Sequence, residues 1–142
     1  NFDVLELKSD VQHLIKYRPH AETFLQRLNE SDFFVVMVTN AHEDLIKMKI
    51  EKTNIDIFFD RIISAHTIGH AKEEEPFWKK LQLEVPFNCD ETLLIDDNLM
   101  VMRAARKYGI RNLLTIEKPD SLRPEQETAE FDAIYSFQDI IF

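Results

Sequence analysis

The chain has 142 residues, with 17 basic and 26 acidic side chains and a net charge of −9. That length suits one domain with a real core, and 44% hydrophobic with 30% charged residues excludes a disordered chain. The acidic balance argues against nucleic-acid binding, which rests on clustered Lys and Arg.

Residues 7–17 place Leu7, Val11, Leu14 and Ile15 at helical spacing, so a short amphipathic helix is expected there. After Pro19, Ala21, Phe24, Leu25 and Leu28 fall at i, i+3, i+4 and i+7, and a second helix spans His20 to Leu28. The run Phe33 to Val38 is continuously apolar and reads as a strand buried on both faces, ending at Thr39-Asn40-Ala41-His42. A helix follows, with Leu45/Met48 and Ile46/Ile50 on neighbouring stripes. Phe59 to Ser64 is a second strand, and Ala65–Lys72 is loop-like around Gly69. Glu73-Glu74-Glu75-Pro76 opens another helix, with acids at its positive end and proline in its first turn.

Thr92 to Ile95 is a third strand, ending at Asp96-Asp97. Asn98 is a good N-cap for the next helix, where Val101, Ala104, Ala105 and Tyr108 share a face and Gly109 stands where a terminating glycine belongs. Arg111 to Ile116 is a fourth strand, and Phe131 to Tyr135 a short fifth before a last helical turn from Ser136. Strands alternating with helices predict an α/β fold with a mostly parallel sheet flanked by helices. In such sheets ligands bind beyond the strands' carboxyl ends. The informative residues are therefore Thr39-Asn40, Lys72, Asp96-Asp97 and Glu117-Lys118.

Several classes are disfavoured by what the chain lacks. No apolar run approaches the roughly 20 residues of a membrane span, and no leader is visible at Asn1. The single cysteine, Cys89, cannot form an internal disulfide and fits a reducing, cytoplasmic setting. Two glycines, Gly69 and Gly109, exclude a Gly-rich nucleotide fingerprint. Lys79-Lys80 and Arg103/Arg106/Lys107 read as solvated helix faces. His66 and His70 are too poorly supported by other ligands to make a zinc site, His42 suits a surface or capping role, and Trp78 and Phe77 suit core packing.

Asp96-Asp97 is the most telling pair. At the end of a buried strand two carboxylates would be desolvated and repel each other, and a divalent cation with oxygen ligands relieves both effects. One capping and one solvated Asp explain the pair equally well. Thr39, with N–H groups at the following helix start, can bind a phosphate oxygen, although alone it fits an ordinary turn better. Lys72 just before a helix start wants an anion nearby, which neighbouring glutamates or a phosphate would supply.

Together these residues are more specific. Thr39 in VVMVTN, Lys72 in GHAKEEEPFW and Asp96-Asp97 in TLLIDDN resemble, in order and spacing, the haloacid dehalogenase (HAD) superfamily of phosphohydrolases. RPHAETFLQRL is similar to the segment that re-enters the core after a helical cap. TNAH, SAHTIGHAKEEEPFW and LLIDDN look most like the bacterial GMP/IMP 5′-nucleotidase branch. A response-regulator receiver domain uses similar residues, but its acidic pair comes first.

The resemblance implies a Rossmann-like HAD core at 19–142 and the tail of a helical cap at 1–18. It implies a Mg²⁺-dependent phosphatase acting on a small phosphorylated substrate such as a purine nucleoside monophosphate. Asp96 and Asp97 would hold Mg²⁺. Lys72 and Thr39 would serve catalysis, and both, with Asn40, would bind the phosphate. The superfamily's nucleophile lies in an Asp-x-Asp motif on the first strand, and this chain has none. The expectation is that the nucleophile lies upstream, that the 142-residue chain alone is inactive, and that an upstream segment, a second chain or Phe2–Leu7 fills the central strand slot. The alternative is a non-catalytic HAD-like binding or assembly domain. At the carboxyl ends of one parallel sheet, Thr39, Lys72 and Asp96-Asp97 should gather.

Overall fold

The described residues form two ladders of short strands, each parallel within itself, one of β1 and β2 and one of β3, β4 and β5 in that order. The structure is a computed structural model and describes residues 20–116 and 130–140. The expected helix at 7–17, the boundary at 18/19, Phe2–Leu7 and Glu117-Lys118 lie outside them. The chain divides between Thr67 and Ile68 into two compact units.

In the first unit, α1 (Ala21–Asn29) starts where its apolar spacing starts, after His20 in a left-handed conformation at φ 66°. Leu25 of α1 packs with Ile55 and Phe58 of a 3₁₀ turn, and Leu28, Ile50 and Phe59 close around them. Strand β1 (Val36–Thr39) pairs in register with β2 (Arg61–Ser64), Val36 opposite Arg61 and Thr39 opposite Ser64. The strand expected over Phe33 to Val38 therefore begins three residues later and takes in Thr39. The physical reason is Asp60: its carboxylate Oδ2 accepts the Val35 N–H at 2.7 Å and its own N–H donates to Val35 O at 2.8 Å. Val35 is thus pinned to a side chain just before the ladder, and Phe33 and Phe34 stay 59% and 64% exposed. Nor is β1 buried on both faces, since all four residues are half-buried. Helix α2 (Glu43–Thr53) follows, with His42 as its N-cap.

The segment expected as a loop at Ala65–Lys72 contains a one-turn helix, α3 (Ala65–Ile68), and then turns at Gly69 with φ 91°. That φ is open to glycine and strained for other residues.

In the second unit, α4 (Glu75–Glu84) starts with Pro76 in its first turn and buries Phe77, Trp78 and Leu81. Strand β3 (Leu93–Ile95) leads through Asp96-Asp97 to α5 (Leu99–Tyr108), whose buried face is Val101, Met102 and Ala105. Gly109 closes α5 at φ 128°: its N–H donates to Arg106 O and that of Ile110 to Ala105 O, both at 3.1 Å. This is a positive-φ stop that a glycine permits. Strands β4 (Asn112–Ile116) and β5 (Asp132–Ile134) complete the ladder, and Ser136 caps a final 3₁₀ turn. Arg103 and Arg106 are not simply solvated. Both grip the Glu130 carboxylate, at 2.5 and 2.9 Å, and Arg106 also lies 4.8 Å over the Phe131 ring. No helix among the described residues is long and apolar enough to cross a membrane.

Candidate active site

Thr39 ends β1, and its Oγ1 accepts the Ala41 N–H at 3.0 Å. A hydroxyl used this way keeps its own proton to donate. The turn it shapes, Thr39 to His42, is tied to the end of β2 by Ser64, whose Oγ donates to Ala41 O at 2.8 Å. Ser64 is buried at 4% exposure and also accepts the His66 N–H. His42 Nδ1 accepts the Asp44 N–H at 3.2 Å, so its capping role is confirmed. Its ring meets that of His66 edge to face at 5.1 Å. Thr39 and Asn40 thus sit on a turn at the carboxyl end of β1, held from β2. Sequence reading missed Ser64, because a serine at a strand end has no distinctive pattern.

In the second unit Lys72 and Asp96 meet. Lys72 Nζ donates to Asp96 Oδ2 at 2.7 Å, and the side chains are 12% and 8% exposed. Asp96 Oδ1 accepts the Asn98 N–H at 2.9 Å, so both of its oxygens are engaged. Its backbone N–H donates to Leu114 O at 3.2 Å, which continues the β3–β4 pairing one step past the strand. Asn98 caps α5 with its own Oδ1, accepting from Met100 and Val101 N–H groups at 2.9 and 3.4 Å. The Asp-Asp-Asn turn is therefore fixed by the strand before it and the helix after it.

Asp97 retains solvent exposure, yet burial around its carboxyl raises its pKa above the ordinary Asp value. The neighbouring Asp96 carboxylate adds to the rise, and a backbone hydrogen bond and Lys72 oppose it. A carboxyl crowded by another carboxylate is the electrostatic setting that a cation stabilises. The donors here are hard oxygens, which suit Mg²⁺; it binds through one or two carboxylates plus waters and phosphate. Among the described residues no group of three or more His, Cys, Asp or Glu side chains is placed to hold a metal.

The approach to Lys72 is fastened as well. Trp78 Nε1 donates to Lys72 O at 2.8 Å. Glu74 Oε2 accepts the Ala71 N–H at 3.2 Å and lies 3.3 Å from His70 Nδ1. Neither partner was legible beforehand: Trp78 looks like core, and Glu74 is one of a run of acids.

The haloacid dehalogenase-like hydrolase family model matches residues 4–115. The GMP/IMP nucleotidases YrfG of Escherichia coli (strain K12) and Shigella flexneri are each 27% identical over 139 residues, which is 98% of this chain and 63% of theirs. The chain therefore spans less than two thirds of the length of these relatives. Among solved structures, YfnB from Bacillus subtilis, determined bound to magnesium, superposes with a TM-score of 0.77 at 18% identity, over 93% of this chain and 57% of that one. A dehalogenase determined with an intermediate complex gives a TM-score of 0.72 at 20% identity, over 86% and 54%. The two structural matches establish the Rossmann-like fold, and the family match over most of the sequence places the chain within it: it belongs to the haloacid dehalogenase-like hydrolases.

Proposed function

We propose that the full-length protein is a Mg²⁺-dependent phosphomonoesterase acting on nucleoside 5′-monophosphates, within the cytoplasm. The observation that carries this reading is the shielded Lys72–Asp96 pair, with the Asp97 carboxyl beside it. The YrfG relatives supply the substrate class. In this reading Asp97 and Asp96 hold Mg²⁺, with Asp96 also steering Lys72. Bound there, the ion would neutralise charge on the phosphoryl oxygens.

Lys72 does the same from its ammonium, and stabilises the nucleophilic carboxylate in its ionised form. Thr39 donates its hydroxyl proton, and Asn40 its backbone N–H, to phosphate oxygens on which charge shifts during transfer. The nucleophile is a carboxylate upstream of Asn1. Its oxygen bonds to phosphorus as the ester P–O bond breaks, and the leaving nucleoside oxygen takes a proton from the second carboxyl of the upstream Asp-x-Asp, which regains one from the water that attacks next. Water then cleaves the acyl phosphate, returning the carboxylate and inorganic phosphate. The 142-residue segment alone is inactive in this scheme.

The absence of Asp-x-Asp from this chain favours a second reading, a non-catalytic binding domain. One experiment separates them: phosphate release by the full-length protein from a panel of nucleoside monophosphates and unrelated phosphate esters, with and without Mg²⁺. Mg²⁺-dependent turnover of purine monophosphates supports the enzyme. Absence of turnover on every ester overturns it.

A further inference from the structure

We propose that Trp78 is a positioning residue for Lys72, setting through the Lys72 carbonyl the direction in which the ammonium reaches Asp96. The proposal rests on the reading above only for its catalytic consequence; the positioning itself rests on geometry.

A lysine ammonium is a point charge on a flexible four-carbon stem, and its direction is not fixed by its own chemistry. Here the stem is held at both ends. Nζ is held by Asp96 at 2.7 Å, and the main chain at its root is held by the indole N–H of Trp78 at 2.8 Å. Trp78 is itself buried, 1% exposed and packed edge to face against Phe77 at 5.0 Å. Phe77 is completely buried. The bond spans six residues, from the turn before α4 back from the helix's first turn.

Glu74 clamps the other side of the same turn through Ala71 N–H, and the Glu74 N–H donates to Ala71 O at 3.0 Å. The turn follows Gly69, whose φ of 91° is a conformation that glycine permits. A buried indole N–H needs a partner in any core. A partner on the peptide of the site's own cation, rather than elsewhere on the fold, is what ties core packing to the ammonium's aim.

The test is Trp78→Phe in the full-length protein, which keeps an aromatic ring and removes the donor. Two quantities are read. One is the ¹⁵N–¹H signal of the Lys72 ammonium, observable only while the group is shielded and ordered. The other is the steady-state rate on a nucleoside monophosphate. The expected result is a broadened or lost Lys72 signal and kcat lowered about 10-fold or more, with KM changed less than about threefold. Ile134→Ala perturbs the core of the same unit on β5, which pairs with β4, and is expected to lower thermal stability with the Lys72 signal intact. If Trp78→Phe does not fold, benzothienylalanine at position 78 keeps the shape of the indole with sulfur in place of N–H and is read in the same way. An unchanged Lys72 signal in either Trp78 variant overturns the proposal, whatever the rate does, and so does loss of the signal in Ile134→Ala. A wild-type protein inactive on every phosphate ester overturns the phosphatase reading alone, and the ammonium signal still decides the positioning.

Discussion

Lys72 Nζ and Asp96 Oδ2 meet at 2.7 Å across 24 residues of sequence, in surroundings that leave the two side chains 12% and 8% exposed. Surface ion pairs contribute little, but a shielded pair such as this is costly to break, because the surviving charge is left without its partner. Lys72→Met is expected to destabilise the protein by about 3 kcal/mol. It should also lower phosphatase kcat by about 10³-fold, since a charge aimed at the phosphoryl group is lost. Lys72→Arg should not restore activity, because a planar guanidinium does not fit where an ammonium does. Urea denaturation and steady-state kinetics on the same preparations check both effects.

The turn that presents Asp96-Asp97 depends on Asn98, whose side chain accepts from two N–H groups at the start of α5. Asn98→Ala is expected to cost about 1 kcal/mol, and Asn98→Asp to cost little. Thermal melts of the two variants should rank in that order.

Thr115 is fully buried on β4, and its Oγ1 has no hydrogen-bond partner among the described residues. A buried hydroxyl without a partner is a net cost, and valine has nearly the same shape. Thr115→Val is therefore expected to raise stability by about 1 kcal/mol, read by urea denaturation. A loss of stability would show that the hydroxyl has a partner.

Glu130 has its pKa lowered, first by the hydrogen bond from Arg103 and then by that from Arg106. A lowered folded-state pKa means that the carboxylate adds stability above its unfolded value, near 4.3, and that this is lost as pH falls through the folded value. Glu130→Gln should thus melt below wild type at neutral pH. The gap should close as pH drops below about 4, and shrink with added salt, because all three side chains are exposed to solvent.

Much of the fold was legible because its signals are local. Helix α5 carries its Asn98 cap and its Gly109 stop in one stretch, and both appear as expected, while its buried face takes in Met102 and leaves Ala104 and Tyr108 half-buried. The Pro76 start of α4 also appears as expected. The start of β1 was not legible, because Asp60, 25 residues away in sequence, decides it by taking the Val35 N–H. Lys72, Asp96 and Asp97 could be picked out from residue type and position after strands, and the structure joins Lys72 to Asp96. Their supports could not. Trp78, Ser64 and Glu74 act through main-chain groups, and hydrogen bonds to a carbonyl or N–H leave no mark on the residue type at the other end.

The central claim is that the Asp96-Asp97 turn with Lys72 is the metal-dependent half of a phosphatase centre. It is tested most directly by the Mg²⁺ dependence of phosphate release from a purine nucleoside 5′-monophosphate, with full-length wild type and Asp97→Asn side by side. The account predicts saturable activation of the wild type by Mg²⁺, abolished by chelator, and a loss of about 10²-fold or more in Asp97→Asn at saturating metal. Phosphate release that is indifferent to Mg²⁺, or an Asp97→Asn variant as active as the wild type, would contradict it.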